Sequence, residues 1–172
     1  MNDSHRTKRR VRAFIIILTA FVLLTFPGCS RQAKEPENYT HVDSEDAAMN
    51  AAIAKAKATS ADFVRAFHAQ KPGTTNFSVK KPYPVPGGGQ EHMWIDVLSE
   101  SNGVIEGQID NDAEETKAVK LGQKVSVKIE EISDWFYMDG KKIIGGYTIR
   151  YFIDKMSPKE RETYLKQTGW EL

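Results

Sequence analysis

Cysteine is almost absent from this chain of 172 residues, where Cys29 stands alone. No disulfide can therefore close within it, and no second thiol completes a cysteine metal site or redox pair. The longest apolar run, residues 13–26, falls short of the roughly 20 residues that a membrane-spanning helix needs. There is no Gly-x-Ser-x-Gly elbow and no His-Glu-x-x-His pair, and Gly87-Gly88-Gly89 lacks the Lys-Ser or Lys-Thr that follows a phosphate loop. A basic excess is missing too. The formal net charge is +1, but five basic residues and one acid lie in residues 1–28, so the other 19 basic and 22 acidic side chains leave the body at −3. Such a body neutralises phosphates poorly, and nucleic acid is not an expected partner.

What remains, 40% hydrophobic and 27% charged, is enough for one domain with a core. Before it comes a basic stretch from Arg6 to Arg12, the apolar run, and then Pro27-Gly28-Cys29-Ser30, the three parts of an export signal. A cysteine placed after glycine at the end of such a run resembles the lipobox of bacterial lipoproteins, which implies a signal peptide at residues 1–28 and acylation of Cys29. Phe26 and Pro27 depart from that pattern, and an uncleaved signal anchor is the alternative. Ser30, rather than Asp, after the cysteine is similar to outer-membrane sorting. The expectation is a chain exported and held by its lipid at the periplasmic face of a bacterial membrane, the outer one by this resemblance. Residues 29–43, polar around Lys34, Glu35, Pro36 and Glu37, read as a disordered tether, and residues 44–172 as a single domain.

Within the domain, Asp43 or Ser44 can cap a helix, and Met49, Ile53, Ala56, Ser60, Phe63 and Phe67 recur at steps of four and three along one face. Thr59-Ser60 can divide it into two helices. Strands are expected at residues 77–83, 91–98, 104–110 after a Ser101-Asn102-Gly103 hairpin turn, 124–129 and 135–138, with Lys142 to Ile144 pairing back across an Asp139-Gly140 turn. Pro82, Pro84 and Pro86 argue that the first of these is not central. Residues 147–156 fit both helical spacing and alternation, with a helix begun by Gly145-Gly146 preferred. Ser157-Pro158-Lys159-Glu160 is a capping box with proline in the first turn, and Gly169 is a natural stop. The fold expected is α+β, a small, mostly antiparallel sheet with an N-terminal helix, single or broken in two, and a C-terminal helix.

Several residues invite a functional reading. His92 and Asp96 look like a ligand pair, but along a strand they lie roughly 13 Å apart, too far for one ion, and a hydrogen-bonded structural histidine is the simpler reading. Asn111, Asp112, Glu114 and Glu115 form an acidic connection that lacks the Asp-x-Asp-x-Asp-Gly order of a calcium loop and reads as solvated. No metal, cofactor or catalytic residue is assigned. Trp94, Trp135, Tyr147 and Arg150, with His92 and Asp134, read as an exposed aromatic and charged set of the kind enriched at interfaces; the alternative is that the tryptophans are core.

Glu91-His92-Met93-Trp94-Ile95-Asp96-Val97, Ile109-Asp110-Asn111, and Ile132-Ser133-Asp134-Trp135 leading into Gly145-Gly146-Tyr147-Thr148-Ile149-Arg150 resemble a YegJ-like bacterial family defined as domain of unknown function 2314. The resemblance covers most of residues 47–157. It implies no established activity, and export with a lipobox-like signal as one common form. Two readings follow: a lipid-anchored envelope protein that binds another protein or envelope component through His92, Trp94, Asp96, Asp110, Asp134, Trp135, Gly145, Gly146, Tyr147, Thr148 and Arg150, or an envelope hydrolase with His92 as base beside a carboxylate.

Overall fold

The structure, a computed structural model, describes residues 46–172. The signal expected at residues 1–28, the lipidation expected at Cys29 and the tether expected at residues 29–43 lie outside the described residues. Helix α1 (Ala47–Ala58) starts two or three residues later than a cap at Ser44 or Asp43 would place it. Asp46 is the cap: one carboxylate oxygen accepts from the backbone N–H groups of Ala48 and Met49, both at 2.9 Å, and the other accepts from the Tyr151 hydroxyl at 2.5 Å. The helix ends at Thr59, whose hydroxyl donates back to the carbonyl of Lys55 at 2.8 Å, competing with the backbone ladder. Helix α2 (Ser60–Ala69) follows at once, so the apolar stripe is carried by two helices.

Six strands form one sheet in the order β4-β3-β2-β1-β5-β6, every adjacent pair antiparallel. These are β1 (Thr74–Pro84), β2 (Gln90–Ser101), β3 (Val104–Ile109), β4 (Lys124–Lys128), β5 (Asp134–Asp139) and β6 (Lys142–Gly145). Despite its prolines, β1 sits at the centre of the sheet, between β2 and β5. Its pairing with β5 runs from Thr74 to Lys80 and stops, so Pro82 and Pro84 pair on the β2 side alone and no second ladder needs their missing N–H. Asn102 and Gly103, both at positive φ (54° and 79°), make the two-residue turn between β2 and β3, as their sequence suggests. Between β5 and β6 the turn is Gly140-Lys141, one residue later than expected, with Asp139 already paired to Lys142.

Helix α3 (Tyr147–Lys155) settles the ambiguous segment in favour of helix. Helix α4 (Pro158–Thr168) carries the anticipated capping box: the Ser157 N–H and hydroxyl both donate to the Glu160 carboxylate, at 2.9 and 2.6 Å, and Gly169 ends it at φ 70°. After it, Glu171 lies along the outer edge of β6, its carbonyl accepting from Ile143 N–H at 2.9 Å. Alternation sorts the sheet into two faces. Phe77, Val79, Ile95 and Trp135 join Ala56 and Phe63 in the buried core under α1 and α2. Burial of such side chains supplies roughly 1.5–3 kcal/mol each. Ser78, Lys80, His92, Trp94, Asp96 and Phe136 point the other way.

Candidate functional site

The residues singled out in the sequence do not converge on one surface. Gly146 opens α3 at φ 61° and offers no side chain to cap it. Asp134, fully buried at the start of β5, takes over that role from 12 positions upstream of Gly146. Its carboxylate accepts from the N–H groups of Tyr147 (3.1 Å) and Thr148 (2.7 Å), from the Thr148 hydroxyl (2.6 Å) and from the N–H of Trp135 (2.8 Å). Burial raises its pKa, and the bonds from Thr148 and Trp135, with the charge of Lys80, oppose that rise. Trp135 is 2% exposed; its indole N–H donates to the Ala56 carbonyl at 2.9 Å, and its ring packs on Phe63 and Tyr147. Arg150 reaches back to the carbonyls of Gly145 (2.9 Å) and Ile143 (2.7 Å). Asp134 and Trp135 are therefore core, not exposed interface, and with Gly145, Gly146, Tyr147, Thr148 and Arg150 they form the joint that binds β5, β6, α3 and α1 together.

The remaining candidates do lie on an accessible surface. Trp94 is half-buried in β2 with the Lys80 ammonium 5.0 Å from its ring centre and the Phe136 ring at 5.1 Å. Asp96 is exposed on the same face and accepts from the Ser78 hydroxyl at 3.0 Å. His92, half-buried, pairs through Nδ1 with the Ser133 hydroxyl at 2.8 Å. A hydroxyl beside an imidazole suggests a nucleophile and its base, yet Ser133 is 2% exposed and its hydroxyl also meets the Lys80 carbonyl at 3.2 Å. A substrate cannot reach it, and the Asp134 carboxylate is engaged by α3. Asp110 is exposed, with its N–H on the Trp94 carbonyl at 3.0 Å.

Burial first, then the charges of Lys80 and Lys57, bring the His92 pKa down to about 4. The unfolded chain, with an ordinary imidazole near 6.5, binds the proton more readily than the folded one. Stability from this group is thus fully present above pH 6.5 and is lost as pH falls towards 4, an effect of roughly 2–3 kcal/mol. Urea midpoints measured across pH 4–7 should show that slope in the wild type and a clearly flatter one in His92→Gln. Parallel slopes would assign the acid sensitivity elsewhere.

Residues 46–172 match the family described as an uncharacterized protein conserved in bacteria, DUF2314. The chain belongs to this family. Over 119 residues it is 39% identical to the uncharacterized protein YegJ of Escherichia coli K12, covering 69% of this chain and 75% of that protein. It is also 35% identical over 71 residues to a putative ankyrin repeat protein of Neisseria meningitidis serogroup B, covering 41% of this chain and 28% of that protein. No solved structure matches it.

In this DUF2314 member the structure also gives a role to Glu91, which the sequence did not distinguish from other surface acids. Its carboxylate accepts from the N–H groups of Glu114 (2.8 Å), Glu115 (3.0 Å) and Thr116 (2.7 Å), pinning the acidic connection between β3 and β4 to β2. These three bonds lower its pKa against the opposing effect of burial, which is the largest single contribution. The only sequence trace of this clasp is that Glu91 directly precedes His92 in the family-like stretch.

Proposed function

We propose that this chain is a lipid-anchored protein of the bacterial envelope that works by binding another protein or envelope component. It rides on Cys29 at the periplasmic face of the membrane, the outer membrane by the Ser30 pattern. The observation that carries the binding reading is Trp94, half-buried under the Lys80 ammonium and flanked by His92 and Asp96 on the sheet face turned away from α1 and α2. An amphipathic ring with charged neighbours supplies contact area at low entropic cost. The hydrolase alternative asks for a carboxylate at His92, and the ring nitrogen Nδ1 meets Ser133 instead.

Two arms test this. Labelled palmitate should enter the wild type and not Cys29→Ala; equal labelling ends the lipid anchor. A photo-crosslinker at Gln108 or Ser126, exposed on the same face, should capture one envelope component in living cells and lose it in Trp94→Ala. Recovery of uncrosslinked monomer alone would remove the binding reading.

A further inference from the structure

The β1–β2 ladder runs from Pro84–Gln90 only as far as Ser78–Asp96. Beyond that pair, β1 continues against β5 through Thr75 and Thr74, while β2 continues against β3 through Ser101. The sheet forks. Each prong carries a bulge at the fork: β1 has an extra residue between Thr75 and Ser78, where Asn76 adopts φ 52°, and β2 has one between Val97 and Ser99, where Leu98 is 56% exposed. Gly107 lets β3 approach β2 closely beside the second bulge, where a Cβ would sit 2.5 Å from the Asp96 carbonyl oxygen. Between the prongs lies a groove of about 550 Å³ whose lining includes Thr75, Asn76, Val97, Leu98 and, from α2, Phe67.

Bulges end strand pairing and re-aim side chains, and a non-glycine residue at positive φ is strained backbone that surrounding structure must hold in place. The sheet's outer edges are treated differently. The edge of β4 carries Lys124 and Lys128, the usual protection against unwanted pairing, and the edge of β6 is met by Glu171. The prongs, Thr75-Asn76-Phe77 and Val97-Leu98-Ser99, carry neither lysine nor proline.

We infer that the fork is a docking slot for an extended peptide, which adds as a strand along a prong. Its main chain supplies donors and acceptors at the spacing of a strand edge, one apolar side chain packs on Phe67 and Leu98, and a basic side chain pairs with Asp96 at the apex. The inference goes beyond the binding reading above: of the Trp94 face the slot shares only Asp96, and it names a ligand class of its own.

The test uses the full chain in detergent and a pool of capped hexapeptides of pattern Lys-X-Thr-X-Lys-X, with X valine, isoleucine or leucine. Hydrogen exchange should slow at residues 75–77 and 97–99 when the pool is added. Binding should fall at least tenfold in Leu98→Asp, and at least tenfold for the same pool with alternate amides N-methylated, an arm that needs only the wild type. Equal binding of the methylated pool, protection confined to other segments, or no protection would overturn the slot. Loss of the Gln108 crosslink with protection retained would fell the proposed sheet-face partner and leave the slot; the reverse result would fell the slot alone.

Discussion

Asp134→Ala should cost about 3–5 kcal/mol of folding stability, the largest loss expected from any single polar substitution in this chain. The side chain has no exposure and serves four donors, three of them backbone N–H groups. Truncation strands those donors in a space that water does not reach, and it removes the negative charge from the positive end of α3. Asp134→Asn keeps the shape but turns an NH₂ group toward donors, so it should recover only part of the loss. Urea unfolding gives the magnitude, and hydrogen exchange in residues 147–150 should rise first. A loss below about 1 kcal/mol would mean that the start of α3 is satisfied without this carboxylate.

Gly145→Ala should be nearly as damaging, at about 2–5 kcal/mol, for a steric reason. Gly145 sits at φ 80°, and a Cβ there would lie 2.4 Å from the Trp135 carbonyl oxygen and 2.5 and 2.6 Å from two carbons of the indole ring. Neither can yield easily. The carbonyl accepts from Gly146 N–H at 2.8 Å, and the ring is wedged against Phe63 and Tyr147. Gly140→Ala is the natural control: its φ is 59°, but nothing lies within 4 Å of the added carbon, so only backbone strain of about 1–2 kcal/mol remains. Equal Tm shifts for the two variants would show that the Trp135 contact contributes nothing.

The two predictions meet in one joint, and that joint explains why the sequence reading put its residues on a surface. Ser133-Asp134-Trp135 and His92-Met93-Trp94 look alike as text, each placing a polar residue and a tryptophan on a strand. One tryptophan ends up 2% exposed and the other half-buried, because β5 lies beneath α1 and α2 at Trp135 while β2 turns Trp94 to the opposite face. Alternation identifies which residues share a face; it does not say which face a helix will cover. The same limit applies to Glu91, whose three donors come from residues 23 to 25 positions away.

Features whose cause is local were determined by the sequence alone. The Ser157 and Glu160 box, the Asn102-Gly103 turn and the break at Thr59 each depend on groups within a few residues, so their chemistry is complete in the text. Tertiary structure decided the central place of β1 despite its prolines, the burial of Asp134 and the fork between β1 and β2. Each of these depends on where a distant strand stops pairing, and that point is set by packing between segments remote in sequence.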